Sequence, residues 1–245
     1  MRIMPALLSV SILGGFAAPG KAEPAKVSGW RVSQMTKLNG KTSVYITPAG
    51  IKLINDRTGI YVLFLPPYKN AVAVNPGNRK FCSTPIERLQ DPYRETNLMF
   101  NGGTLRQIEL GSSSVTKIFD MPAVQYVATD AFARRQMAAV KAGKMPSRAP
   151  KTVEFVVIKN KSFERRTGTL LTRFYGLPEV DGLPCSFKFR DTKRKDHSIL
   201  RTLSIKPLTV KKNFFDMPTG FTKAPTNESV FYDGKIENGL EIMFR

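Results

Sequence analysis

Few side chains in this 245-residue chain are suited to making or breaking bonds. There is one histidine, His197, in the charged stretch Lys193-Arg194-Lys195-Asp196-His197, and there are two cysteines, Cys82 and Cys185, with no Cys-x-x-Cys pair. A tetrahedral metal site needs several N, S or O ligands at set spacings, and this supply does not provide them. A nucleophile activated by histidine would have to use His197. No Gly-x-Ser-x-Gly elbow, His-Glu-x-x-His pair or phosphate-cradling glycine loop accompanies it. Asp120 and Glu179 lie near turns without a pairing signal. A carboxylate-only glycosidase or a lysine-based amidase remains as an alternative, because groups that meet only in space leave no local motif. The residues read as a non-enzymatic protein with no cofactor and no metal, and His197 reads as a solvated turn residue.

The address comes from the first 22 residues, MRIMPALLSVSILGGFAAPGKA. Arg2 precedes an apolar run from Ile3 to Ala18, and Pro19-Gly20-Lys21-Ala22 supplies a turn with small residues before a cut after Ala22. This is the layout of a cleavable signal peptide over residues 1–22, and it points to a periplasmic or secreted protein. A retained N-terminal anchor is the competing reading, although the run is short and broken for a span of about 20 apolar residues. No Cys follows the run to carry a lipid. In an oxidising compartment two cysteines suggest a bridge, and a Cys82–Cys185 bond would close a loop worth about 4–5 kcal/mol in the chain-entropy account.

Charge narrows the partners. Lys and Arg number 38 against 19 Asp and Glu, a formal net charge of +19. Such a balance draws a protein toward polyanions and anionic membrane surfaces. Export argues against nucleic acid, which leaves lipid headgroups, cell-wall polymers or acidic proteins, alongside a merely solvated basic surface.

These residues must be positioned by strands. Asn39-Gly40 is a hairpin signal and is followed by Thr42–Thr47, rich in β-branched and aromatic residues. Pro48-Ala49-Gly50 turns the chain into Ile51–Ile54, and Asn55–Gly59 forms a loop. Ile60–Leu65 is apolar on both faces, as a central strand covered on both sides would be. Ala71–Val74 and Lys80–Thr84 complete an antiparallel meander. Pro85–Leu89 starts a short helix, Asp91–Gly103 is loop, and Thr104–Leu110 fits a strand or a helix equally. Thr129–Gly143 is helical, with Gly143 at the C-cap. Further strands are expected at Thr152–Ile158, Leu170–Tyr175, Cys185–Arg190, Ser198–Ile205, Ser229–Tyr232 and Leu240–Phe244.

The order of these elements, and the late stretch Phe214-Phe215-Asp216-Met217-Pro218-Thr219-Gly220-Phe221, resemble the periplasmic outer-membrane lipoprotein carrier superfamily. There a Phe-x-x-Pro-x-Gly-aromatic stretch follows the last strands of the sheet, and Phe215, Pro218, Gly220 and Phe221 match it. Thr42–Leu53 and Pro66–Phe81 resemble the opening strands of such domains. The resemblance covers most of residues 28–225. It implies a mainly β (α+β) fold in which a curved antiparallel sheet forms an unclosed half-barrel wrapped around one or more helices; length and the lack of an obvious linker make residues 23–245 one domain. It also implies a concave face that shelters acyl chains.

The expected function is that of a non-enzymatic carrier of a hydrophobic or amphiphilic, lipid-like ligand, in envelope lipid or lipoprotein traffic. Large apolar residues on expected strands mark the cavity: Trp30, Tyr45, Leu63, Phe155, Phe174, Phe187, Phe189 and Leu203. An ordinary filled core accounts for the same residues. The alternative function is a basic interaction module that binds cell-wall or surface polyanions.

Overall fold

The computed structural model describes residues 25–37, 39–89, 105–146 and 148–231. The signal segment, the loop reading of Asp91–Gly103 and the closing strand Leu240–Phe244 lie outside these residues. The described residues form one twelve-stranded sheet. Its strands are β1 (Lys26–Thr36), β2 (Gly40–Thr47), β3 (Gly50–Asn55), β4 (Tyr61–Phe64), β5 (Asn70–Asn75), β6 (Lys80–Pro85), β7 (Leu110–Ile118), β8 (Met121–Ala128), β9 (Pro150–Ile158), β10 (Leu183–Asp191), β11 (Asp196–Lys211) and β12 (Thr222–Lys223). The spatial order is β12-β6-β5-β4-β3-β2-β1-β11-β10-β9-β8-β7. Two antiparallel meanders, β1–β6 and β7–β11, are joined where β1 pairs with β11, and β12 adds to β6 in parallel. The sheet does not close on itself, as expected for a mainly β half-barrel with a few helices.

Local chemistry explains the turns. Gly40 has a φ of 66°, which an L side chain rarely adopts, and it begins β2 right after Asn39. The side chain of Asn55 accepts the amides of Arg57 and Thr58, folding the loop before β4. The expected mid-chain helix is α1 (Asp130–Lys141): the Thr129 hydroxyl accepts the Phe132 amide at its start, and Gly143 follows its end at φ 69°.

A second helix replaces an expected strand. Residues Thr167–Tyr175 form α2, ending at Gly176 with φ 66°, where the Leu177 amide returns to the Thr172 carbonyl. Leu170, Leu171, Phe174 and Tyr175 recur at helical spacing, so helix formation buries all four. Near the C-terminus the described part of the expected strand Ser229–Tyr232, residues 229–231, is instead in a short helix, α3 (Glu228–Phe231). Pro85–Leu89 shortens to a 3-10 turn at Ile86–Arg88, and the described part of Thr104–Leu110, residues 105–110, divides into a 3-10 turn at Leu105–Gln107 and the first residue of β7.

Side-chain alternation gives the sheet two apolar faces. The inner face packs on α2 and α3 in one large cluster that includes Val32, Val44, Phe64, Phe155, Phe187, Leu170 and Val230. The outer face of β2–β6 carries a smaller cluster: Leu63, Val72 and Val74, capped by Phe215 with Phe214 and Phe221. The segment Lys212–Phe221 is therefore a strap across the outside of the first meander. It is pinned where the Lys52 ammonium lies 4.3 Å from the centre of the Phe214 ring and donates to the Phe214 carbonyl at 3.0 Å. This covering explains how Tyr61–Phe64 can be apolar on both sides.

Candidate functional site

The candidate site is the inner face around α2. Phe155 and Phe187 stand opposite each other on β9 and β10, ring centroids 5.2 Å apart in an edge-on arrangement, and both are fully buried. Phe174 projects from α2 itself, 5.4 Å from the Tyr175 ring. Phe189 is buried at the far end of β10. Trp30, on β1, is half-buried, and its ring centroid lies 5.7 Å from that of Phe163 in the loop before α2. The structure thus brings Trp30, Phe155, Phe174, Phe187 and Phe189 into one cluster.

It does not bring the other three there. Tyr45 and Leu63 point to the opposite face, where the Tyr45 ring lies 4.8 Å from Phe214 under the strap. Leu203 is 37% exposed on the outside. The reason is parity: neighbouring residues on a strand face opposite sides. Apolar residues on the covered outer face therefore look like inner-face residues in sequence.

The centre of the inner face is occupied by α2. Leu170 and Leu171 are 1% and 0% exposed, and each such burial is worth about 1.5–3 kcal/mol. A buried polar network fixes the helix to three strands. The Tyr175 hydroxyl donates to Gln34 Oε1 at 2.8 Å. Gln34 Nε2 donates to the Pro184 carbonyl at 2.7 Å and to Thr202 Oγ1 at 3.1 Å. Burial pushes the Tyr175 phenol far above its ordinary pKa, so it stays a donor. On the opposite side of α2, Arg173 donates to Glu179 at 2.8 Å and to the Ile86 carbonyl at 3.1 Å, and Arg106 reaches the same Glu179 oxygen at 2.9 Å. Gln34, Tyr175 and Phe163 are site residues that strand-based reading overlooks. The signal for them was the Leu170/Leu171 and Phe174/Tyr175 spacing before Gly176.

The polar end near Trp30 is cationic. The loop 159–166 that delivers Phe163 reads Lys-Asn-Lys-Ser-Phe-Glu-Arg-Arg. Lys159 bonds the Asp181 carbonyl and Arg166 the Pro67 carbonyl at 3.1 Å, while Lys161 and Arg165 are exposed.

His197 is not a solvated turn residue. Its ring stacks on Phe189 at 4.6 Å, and Nε2 lies 2.9 Å from Asp191 Oδ2, whose other oxygen accepts the Lys195 amide at 2.9 Å. Burial would raise the Asp191 carboxyl. The hydrogen bonds from His197 and from the Lys195 and Lys193 amides, with the His197 charge, outweigh it and hold the pKa below the ordinary value. The pair staples the β10–β11 hairpin. The outer groove beside it, about 490 Å³, is lined by Glu154, Lys188, Arg190 and Asp196, and Arg190 grips Asp196 at 2.7 and 3.2 Å.

The expected disulfide is absent: Cys82 and Cys185 are free, buried thiols. Six strands lie between β6 and β10 in the sheet order, so neighbouring-strand geometry does not bring the two sulfurs together. Burial pushes the Cys185 thiol up to about 12, against the opposing pull of its hydrogen bonds. Among the described residues no group of three His, Cys, Asp or Glu side chains is placed to hold a metal ion. Among the same residues no helix is long and apolar enough to cross a membrane.

No protein-family model matches the chain, and no curated protein matches it. Among solved structures it is similar to an uncharacterized conserved protein from Thermus thermophilus, with 10% identity over 80% of this chain and 88% of that one and a TM-score of 0.41.

Proposed function

We propose that this protein binds an amphiphile with an acyl-like tail at the Trp30–Phe163 end of the inner face. The observation that carries the reading is half-buried Trp30 against buried Phe163, 5.7 Å between centroids, on the rim of a continuous apolar cluster. The chain that presents Phe163 also presents Lys161 and Arg165. An apolar wall beside cations suits a tail with an anionic head, because the head keeps its charge paired while the tail leaves water. The centre of the face is filled by α2, so the tail lies along the Trp30 end, or α2 yields its place to it. The protein acts as a carrier and not as a catalyst, in line with its resemblance to the lipoprotein carriers.

Trp30 is the one tryptophan in the chain, so its emission reports on this site alone. Delipidated protein titrated with a brominated fatty acid should show saturable quenching of that emission, and native mass spectrometry should show the adduct. A titration that is linear and non-saturating, with no adduct on folded protein, refutes the proposal.

A further inference from the structure

No Asp or Glu occurs between residues 25 and 55, or between residues 197 and 215. These two acid-free stretches are distant in sequence, but the β1·β11 ladder places them side by side at the middle of the sheet. On the outer face there, cross-strand partners form rows. Lys41, Met35 and Arg201 are successive partners across β2, β1 and β11. Tyr45, Arg31 and Lys206 make the next such row but one, with Ser43, Ser33 and Ser204 between. Arg31, Lys41, Arg201 and Lys206 are all exposed. At about 4.8 Å between strands and about 6.8 Å for every two residues, they frame a patch of roughly 10 by 13 Å.

Two apolar side chains stand inside this frame. Met35 and Leu203 are each 37% exposed, and Leu203 is the extra residue of a β-bulge between Ser33 and Gln34. The strap packs outside β2–β6 and reaches Tyr45, Val27 and Val210, but Met35, Leu203 and the four cations stay exposed. Asp56 approaches Lys41 at 3.8 Å, a contact between partly exposed groups that is worth little. Toward β9 the patch ends, since Glu154 stands opposite Lys188 and Asp196 is held by Arg190.

We propose that this patch docks the protein on an anionic lipid bilayer. The cations complement lipid phosphates, and Met35 and Leu203 are suited to the shallow apolar boundary beneath the headgroups. A soluble polyanion would engage the same cations but would have no use for the two apolar groups. The docking surface lies on the opposite side of the sheet from the ligand site, so a docked protein keeps its inner face free. The inference does not depend on the ligand proposal, which is read in solution without vesicles.

Co-sedimentation with phosphatidylcholine vesicles, with and without phosphatidylglycerol, tests it. Wild-type protein should bind the anionic vesicles, release them at high salt and ignore the neutral ones. Each cation near a charged surface is worth about fivefold, so Arg201→Gln with Lys206→Gln should weaken binding by roughly 25-fold. The same charge removed at Lys141 and Lys144, beside α1, should change it by less than about threefold. Met35→Ser with Leu203→Ser should weaken vesicle binding and leave binding to dextran sulfate unchanged. Three results overturn the proposal: equal loss from the remote pair, no effect of the serine pair on vesicles, or no vesicle binding by wild-type protein at low salt. Trp30 emission and melting temperature check that each variant is folded.

Discussion

Replacing Tyr175 by Phe removes one oxygen from a site closed off from bulk solvent. Gln34 is 0% exposed, its amide nitrogen is committed to Pro184 and Thr202, and its carbonyl oxygen accepts from Tyr175 at 2.8 Å. The variant strands that oxygen in the core. The lost bond alone is worth about 0.5–1.5 kcal/mol, but an unsatisfied buried acceptor costs about 1–3 kcal/mol, and the second term decides. For a chain of this length each kcal/mol moves the melting temperature by about 2–4 °C. The expected change is therefore a fall of roughly 2–12 °C, with the urea m-value unchanged.

A double-mutant cycle isolates the pair. Gln34→Leu leaves the Tyr175 hydroxyl, the Pro184 carbonyl and Thr202 without their partner, so alone it should cost more than Tyr175→Phe. In the double variant the Tyr175 hydroxyl is no longer there to be stranded. The combined loss should fall short of the sum by about 0.5–3 kcal/mol, as expected for residues in direct contact. Urea unfolding followed by circular dichroism gives all four values. A loss below about 0.3 kcal/mol for Tyr175→Phe, with additive behaviour in the double variant, would show that α2 is not docked through this network.

Four further outcomes follow from the same geometry. Gly168→Ala in α2 should destabilise the protein by about 1–3 kcal/mol although alanine favours helix, because the new Cβ would meet the Val180 carbonyl oxygen at 2.2 Å; a raised melting temperature contradicts this. Iodoacetamide under denaturing, non-reducing conditions should alkylate both Cys82 and Cys185, whereas a bridged protein would take up none. The folded Cys185 thiol sits at about 12 against about 8.5 unfolded, so its contribution is complete below pH 8.5 and is lost as the pH rises toward 12; Cys185→Ala should flatten urea stability across that range. The Asp191 carboxyl is depressed when folded, so its contribution is present above the unfolded value of about 3.9 and disappears as the pH falls through the lower folded value. The stability gap between wild type and Asp191→Asn should hold down to about pH 4 and narrow as the pH falls further, and a gap independent of pH rules the staple out.

Strand positions in the first meander were legible because each is bounded by a turn with a mechanism: Asn39-Gly40, Pro48-Ala49-Gly50, Asn55–Gly59. The helix α1 was legible from its two caps. The Leu170–Tyr175 segment was not, because a short run of apolar and β-branched residues interrupted only by Arg173 fits a strand and a buried helix equally, and only tertiary packing separates them. The strands β7 and β8 escaped for a different reason. Leu110–Ile118 is rich in serine and lies at the sheet edge, where Val115 is 89% exposed, so it lacks the alternation that marks a half-buried strand. The site residues failed where the question was one of sides. Nothing local distinguishes Leu63, sealed under Phe215, from Phe64 beside it on the inner face.

That question of sides makes the bulge in β11 testable. Gln34 and Thr202 must both point inward to complete the buried network, and Ile205 must point inward to reach the core. Regular alternation from Thr202 to Ile205 spaces the two an odd number of residues apart, which would send Ile205 outward. The extra residue resolves this: Leu203 and Ser204 together oppose the single step from Gln34 to Ser33. Deleting Leu203 should therefore restore an unbroken ladder with every other side chain on its present face, at a stability cost below about 1 kcal/mol. The matched control is deletion of Ser43, an outward residue of unbulged β2. It forces a one-residue slip that turns either Thr42 or Val44 and Ile46 to the wrong face, and the protein should not fold. If the two deletions are equally damaging, the bulge is needed for the fold itself. If the Leu203 deletion folds normally and loses affinity for anionic vesicles, the extra residue serves the outer surface, and the sheet has accepted an irregular ladder in order to present it.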